Sequence, residues 1–445
     1  VDMAITGQRH EFRCDYAIAL DGGGRVAALD AELYANAGWT RDLSVATLEV
    51  AMFSLDNCYD IGDMRVRGHV CRTNHVSNTA MRGFGKPEAV AIIESALENA
   101  ARRAGVAPVA VRTASLYAER ALVGGRQDET PLDGALKRLW QEGLSEFKRA
   151  RQNVDAFNAR SAAHKRGVSL MPVRNNVGFD VDEMNQSGAL LHVYSDGSVW
   201  LSSGAVDMGQ GLHAKLTEIV KKEFKSILHI EVDPTLINVA PTTTAAVPNA
   251  APTAAVSGND LGGHAARNAA YTIAKRLQPL LQATTTVTAA TTGDDDGDNS
   301  KWLALVARAY KERIPLSATG FCTMPPFAYN WKTKKGSFAY YHIFGVALVE
   351  VELDVSTGSH RIERALLLQD VGSSVHVAVD VGQIEGGFVQ GTGLVTLEQL
   401  VWAPRDGHLR TRNVSTYKLP THDDVPRQFD VALLLDGVDE AGDGA

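Results

Sequence analysis

The spacing of apolar positions changes several times along the chain, and each change predicts an element. In residues 11–37 the runs Tyr16-Ala17-Ile18-Ala19-Leu20 and Val26-Ala27-Ala28-Leu29 flank Asp21-Gly22-Gly23-Gly24 and predict two antiparallel strands. Residues 47–55 predict a short helical or irregular apolar piece, and residues 60–70 a further strand. Ala89, Ile92, Ile93, Ala96, Leu97 and Ala100 follow an i, i+3, i+4, i+7 spacing, with Pro87 in the first turn and Gly105 at the end, which predicts a helix. Residues 108–119 predict a short helix. Residues 131–166 predict two charged helices, with Leu136, Leu139, Trp140 and Leu144 on one face and His164-Lys165-Arg166 suited to a helix C-terminus.

Strand patterns return at residues 168–202, where Ser195-Asp196-Gly197-Ser198 between two apolar runs is a hairpin signal. Residues 227–239 are strand-like, with Pro234 as an interruption. A helix containing Ala270, Ile273, Ala274 and Leu277 comes next, and residues 302–310 predict another. Residues 344–353 and 361–368 predict strands around Ser356-Thr357-Gly358. The Ala/Thr-rich and acidic stretch 282–299 is low in complexity and is expected to be the most mobile internal segment.

Four segments repeat one construction, a strand-like approach, glycines beside a polar or aromatic residue, then a helix: Arg82 to Gly85, Met208 to Gly211, Ala255 to Gly263 and Gly382 to Gly387. Such loops let backbone N–H groups approach an anionic or polar ligand closely. The first of them, taken alone, also reads as a loop packing Phe84 against its own helix, and each loop singly is weak evidence. Four together favour a large heterocyclic, phosphate-bearing ligand, with the amides of Gln210 and Gln383 suited to its mixed donor and acceptor edge.

Composition narrows this picture. At 445 residues two or three subdomains are expected, and 45% apolar with 22% charged residues is an ordinary globular balance. A net charge of −8 without a basic run argues against a nucleic-acid surface. No apolar run reaches membrane-spanning length. The four scattered cysteines form no CxxC, and no GxxxxGK[ST], GxSxG or HExxH occurs.

Beyond these patterns, the chain resembles, along essentially its whole length, the molybdopterin-binding part of the xanthine dehydrogenase and aldehyde oxidase family. The segments that carry the resemblance include Asp56-Asn57-Cys58-Tyr59, Cys71-Arg72-Thr73-Asn74, Asn78-Thr79-Ala80-Met81-Arg82-Gly83-Phe84-Gly85, Met208-Gly209-Gln210-Gly211-Leu212-His213, Gln383-Ile384-Glu385-Gly386 and Ser415-Thr416-Tyr417-Lys418-Leu419-Pro420. The resemblance implies an α+β fold of two subdomains, residues 1–165 and 166–445, built of mixed sheets and helices with a molybdopterin cleft between them. It implies oxidative hydroxylation of purines, N-heterocycles or aldehydes at a molybdenum–molybdopterin cofactor, with 2Fe-2S and FAD centres in further domains. It also implies a homodimer in the cytoplasm or peroxisome.

Carried over by position, Arg82 and Ala255 correspond to residues beside the metal and cofactor, and Met208, Gly209, Gln210 and Gln383 to pterin contacts. Phe84 and Phe179 correspond to the aromatics that sandwich a flat substrate. Val50 stands where xanthine dehydrogenases have a substrate-orienting arginine, Asp180 where a threonine is usual, and Met81 where phenylalanine is. The base glutamate is expected beyond Ala445 and a first pocket glutamate before Val1, so the chain alone is expected to be inactive. Aldehyde oxidase-like specificity and a non-catalytic scaffold are the alternatives.

Overall fold

The computed structural model describes residues 2–118, 120–121, 130–131, 134–284 and 297–434. Most of the low-complexity stretch, residues 285–296, lies outside them, as do residues 435–445. By compactness the chain forms two units, Val1–Asn175 with His342–Ser373 and Val381–Ala445, and Asn176–Tyr341 with Ser374–Asp380. The units are therefore not consecutive in sequence.

The first unit opens with a short helix α1 (Asp2–Ile5), then β1 (Phe12–Leu20), β2 (Val26–Gly38), α2 (Ser44–Phe53), β3 (Asp63–Arg72), α3 (Lys86–Ala104) and α4 (Pro108–Ser115). Strand β2 is central, antiparallel to β1 and parallel to β3. Its alternating Leu29, Ala31, Leu33 and Ala35 are buried with Leu48 and Ala51 of α2 and Ala89, Ile93 and Leu97 of α3. Period 2 on the strand thus meets period 3.6 on the helices, as the sequence predicts.

After the short antiparallel pair β4 (Arg120–Ala121) and β5 (Thr130–Pro131) come α5 (Ala135–Arg160) and β6 (His164–Val177). Here the structure corrects the sequence reading. Residues 135–160 form one helix rather than two, and His164-Lys165-Arg166 begins a strand instead of ending a helix. Gly143, which would weaken an isolated helix, is where α5 presses closely on the sheet: a Cβ there would lie 2.8 Å from Val346 and 3.0 Å from Leu170. The Arg166 guanidinium is held by sheet carboxylates, Glu352 at 2.8 Å, Glu350 at 3.0 Å and Glu363 at 3.3 Å.

The second unit is a two-layer α/β arrangement. Strands β7 (Gln186–Val193), β8 (Val199–Ser203) and β9 (Ile237–Val239) lie beside one another, with β8 antiparallel to β7 through the Asp-Gly turn and parallel to β9. Only the last three residues of the strand-like stretch 227–239 pair, because helix α6 (Leu212–Leu228) runs into it and Pro234 starts a 3-10 turn. Helices α7 (Gly258–Thr284) and α8 (Asp298–Lys311) follow, and β10 (Ser317–Thr323) completes the sheet against β7. Leu191, Leu201, Phe224, Ile273, Leu277 and Trp302 form the common core.

The chain returns to the first unit with β11 (Tyr341–Asp354), β12 (His360–Asp370), α9 (Val377–Thr396), whose opening residues belong to the second unit, and β13 (Gln428–Leu434). The sheet order is β13-β12-β11-β6, with β13 parallel to β12. Cys58, Tyr117 and the apolar face of α5 share this sheet's core, which places it in the first unit. Mixed sheets and packed helices make the fold α+β.

Two buried ionic groups bind the layers of the first unit. Arg174 of β6 pairs with Asp56 at 2.6 Å, and the Tyr117 hydroxyl donates to the same carboxylate. Glu94 of α3 accepts from Arg112 at 2.8 Å and from the Tyr59 hydroxyl at 2.6 Å. Asn57 joins them, donating to Glu94 at 3.1 Å and to Pro172 O at 2.8 Å while accepting from the Arg174 backbone. Removing one partner of such a pair leaves a buried charge without compensation. Arg174→Met is accordingly expected to cost about 3–5 kcal/mol of folding free energy, read as a lowered urea midpoint; a midpoint within error of wild type would refute this account.

Candidate functional site

In the first unit the site begins at the loop entering α3. Gly83, Phe84 and Gly85 all have positive φ (97°, 49° and 88°), a conformation uncommon for a bulky residue such as Phe84. Gly85 is required here because any Cβ would overlap the Thr47 carbonyl of α2. That close approach seats the loop on the helix that carries the buried Val50. Arg9, for which no local motif exists, donates to Arg82 O at 2.8 Å and pairs with Glu88 at 3.3 Å, fixing the loop from the other side.

The Arg82 guanidinium lies on α9. It donates to Gln383 O and Oε1, each at 3.2 Å, and to Gln390 Oε1 at 3.4 Å. The segment Gly382 to Gly387, expected to be a turn before a helix, is helix interior. The turn lies upstream, where Gly372 has φ of 60°. The glycines instead make room: a Cβ on Gly387 would sit 3.4 Å from the guanidinium. Gln390 went unrecognised in the sequence, although its i+7 spacing from Gln383 puts both on one helix face.

Lys86, the first residue of α3, donates to Asn175 Oδ1 at 2.7 Å. Burial, together with the Arg174 charge, pushes its ammonium down to about 7. A cation at a helix N-terminus also opposes the helix dipole.

In the second unit two loops meet where α6 and α7 begin. Asp207 accepts from the Gly209 and His213 amides at 2.9 and 3.0 Å, and these bonds lower its pKa although its burial raises it. Gln210 accepts from the Met208 amide at 2.6 Å and donates to Val206 O at 2.8 Å. The Val206 amide reaches Thr253 Oγ1 at 2.9 Å, joining this loop to the one carrying Ala255. Ala255 and Val256 are consecutive non-glycine residues with positive φ, 53° and 62°, and the second is β-branched. Backbone strain of this kind costs of order 1–3 kcal/mol per residue and gathers at functional sites.

The Ala255 carbonyl accepts from the Gly178 amide at 3.0 Å, which brings Phe179 and Asp180 to the same loop. Asn185 closes the Phe179 turn, accepting from its amide at 2.8 Å and donating to its carbonyl at 2.9 Å. Asp180 is half-buried, and that burial raises its pKa.

Of the residues singled out in the sequence, Arg82 and Gln383 are in direct contact, and Val50 and Phe84 are linked through Gly85. Met208, Gly209 and Gln210 share one loop assembly with Ala255, Phe179 and Asp180. Arg9, Asp207 and Gln390 are supports that sequence reasoning missed. Among the described residues no group of three or more His, Cys, Asp and Glu could hold a metal ion. The fit for an anionic heterocycle is good: strained backbone precedes the N-terminal end of α7, polar amides line the Asp207 to Gly211 loop, and a Cβ on Gly209 would meet nothing within 4 Å.

These features define a cofactor-binding fold, and comparison with known proteins identifies it. Residues 1–116 and 142–426 match two models, each described as a molybdopterin cofactor-binding domain. The chain belongs to this molybdopterin cofactor-binding domain family. It is 41% identical to xanthine dehydrogenase/oxidase of Felis catus and 39% identical to that of Gallus gallus, in each case over 98% of the chain and 31% of the relative. The chain thus spans about a third of the length of these curated relatives. In structure it resembles aldehyde oxidoreductase of Desulfovibrio desulfuricans (TM-score 0.80, 22% identity, 97% of this chain and 44% of that one). It also resembles quinoline 2-oxidoreductase of Pseudomonas putida (TM-score 0.77, 19% identity, 98% and 56%). At such identities these two likenesses establish the fold alone.

The partly buried Lys86 makes stability depend on pH. Unfolded, it keeps its proton up to its ordinary 10.5; folded, it loses it near 7. The unfolded chain therefore binds more protons between these values, and stability rises with pH across that window. Lys86→Met, lacking the ammonium, should show its greatest stability relative to wild type at pH 7 and below, with the difference shrinking toward pH 10. Urea midpoints at several pH values test this, and parallel pH curves for the two proteins would refute it.

Proposed function

We propose that this chain binds molybdenum–molybdopterin and forms part of the catalytic portion of a xanthine dehydrogenase-like hydroxylase. The observation that carries this reading is the strained Ala255–Val256 backbone at the start of α7, joined through Val206 and Thr253 to the Met208 loop at the start of α6. The residues proposed to hold the cofactor are Arg82, Met208, Gly209, Gln210, Ala255 and Gln383, with Arg82 and Ala255 nearest the metal. The family-model spans, residues 1–116 and 142–426, support two molybdopterin-binding regions, proposed at residues 1–165 and 166–445, although the second span begins inside the first region. When bound, the cofactor would supply oxidative hydroxylation of an electron-poor carbon, with 2Fe-2S and FAD centres taking up the electrons.

This chain's own residues bind and orient. Phe84 and Phe179 clamp a flat ring by stacking and edge-on contact. Arg82 spends its guanidinium on α9, so it fixes the loop bearing Phe84 rather than reaching out to a substrate carbonyl. Val50 offers no donor, and this favours a second reading, an aldehyde oxidase-like specificity. A homodimer acting on small molecules, in the cytoplasm or peroxisome, completes the proposal. Among the described residues no helix is long and apolar enough to cross a membrane.

The cofactor is tested directly: full-length protein produced with molybdate should release a fluorescent oxidised pterin on denaturation, close to one per chain. A preparation of correctly folded protein without pterin would overturn the reading. Specificity is tested at Val50. An arginine there could make a charge-assisted contact to a purine carbonyl, a contact that contributes roughly 1.5–3 kcal/mol, or about one to two decades in rate. Val50→Arg in the full-length protein should raise kcat/KM for hypoxanthine relative to an aromatic aldehyde. An unchanged ratio would mean that Val50 does not face the substrate.

A further inference from the structure

Strand β10 ends the sheet of the second unit, whose order is β10-β7-β8-β9, so among the described residues no strand lies on its outer side. The register against β7, with the Val193 amide donating to Leu316 O at 2.8 Å, turns the N–H and C=O groups of Ala318, Gly320 and Cys322 toward β7. Those of Ser317, Thr319 and Phe321 therefore point outward. The side chains of these three residues are exposed, Phe321 at 57%. An edge of this kind is a template for another strand unless something covers it.

Helix α7 covers it with two side chains. Asn268 donates to Phe321 O at 2.8 Å. Arg276 donates to Ser317 O at 2.7 Å and to Pro315 O at 3.1 Å. The spacing of the two guards matches the strand. From Asn268 to Arg276 the helix rises about 12 Å, and from Ser317 to Phe321 the strand advances about 13 Å. Gly320 brings the helix close enough, since a Cβ there would overlap Ala265 O and lie 2.7 Å from Ala269 N. Asn268 is exposed and Arg276 half-buried, so their bonds serve the edge rather than the core.

The guarded carbonyls of Ser317 and Phe321 lie symmetrically about Thr319. When Thr319 stands opposite the same residue of a second, antiparallel β10, each Ser317 stands opposite a Phe321. All three outward residues then fall in hydrogen-bonded pairs, and one surface serves both partners, as two-fold symmetry requires. We propose that the β10 edge is a self-pairing surface held shut by Asn268 and Arg276. The partner it fits once they withdraw is the β10 edge of a second copy of this chain. This inference goes beyond the functional reading above and does not depend on it.

Sedimentation velocity on the full-length protein over a range of concentrations tests it. Asn268→Ala combined with Arg276→Ala should add a species of about twice the wild-type mass, its share rising with concentration. Adding Thr319→Pro, which removes an outward amide and leaves the ladder to β7 intact, should restore the wild-type profile. Asn268→Ala by itself frees one carbonyl and should give a weaker form of the same association, which keeps the test decisive where the double variant does not fold. A double variant with wild-type circular dichroism and an unchanged profile would overturn the proposal. So would association that persists with Thr319→Pro, or, where only the single variant folds, an Asn268→Ala profile identical to wild type.

Discussion

The first unit depends on one side chain that joins two buried charge clusters. Asn57, held at φ of 47°, connects Glu94 on α3 with the backbone of β6 at Pro172 and Arg174. On one side of it lies the Asp56–Arg174–Tyr117 group, on the other Glu94–Arg112–Tyr59. Buried ions hold a structure in one arrangement because every alternative leaves a charge unpaired. The segment Asp56-Asn57-Cys58-Tyr59 is thus explained by packing and charge. Its effect on the loop of the first unit is indirect, since α3 begins where the Arg82 to Gly85 segment ends.

The candidate site is backbone held in unfavourable conformations by surroundings that leave no other choice. Phe84 is trapped between Gly83 and Gly85, which sit against Pro87 and α2. Ala255 is held by its hydrogen bond from Gly178, and Asp207 and Gln210 spend their side chains on shaping the Met208 loop. Each loop precedes a helix, so its shape is tied to a rigid element. Such a design suits a cofactor recognised through backbone groups, which needs a fixed cradle more than particular side chains.

Two departures from the family's pattern differ physically. Val50, buried on α2, offers neither a charge nor a hydrogen-bond donor, whereas Asp180 keeps a half-buried carboxylate whose pKa burial raises.

The sequence alone determined the parts whose physics is local. The first hairpin, the α3 limits at Pro87 and Gly105, the Asp-Gly turn between β7 and β8, and the strands β11 and β12 all follow from period and turn chemistry within a few residues. The ordered motifs Asn78 to Gly85, Met208 to His213 and Gln383 to Gly386 pointed to the molybdopterin cofactor-binding domain family, whose models match residues 1–116 and 142–426. Tertiary structure decided whatever joins distant residues. His164-Lys165-Arg166 starts a strand because Arg166 meets carboxylates 184 to 197 positions away, a partner set that no local pattern contains. Gly382 to Gly387 lies inside α9, and the Arg82 guanidinium 301 positions before Gln383 is set against that helix, a contact no local pattern contains. Asp56 and Arg174, 118 positions apart, read singly as surface charges, and only the fold buries them together. Local propensity acts over one turn of chain, whereas charge pairing and close packing are satisfied only once remote segments have met.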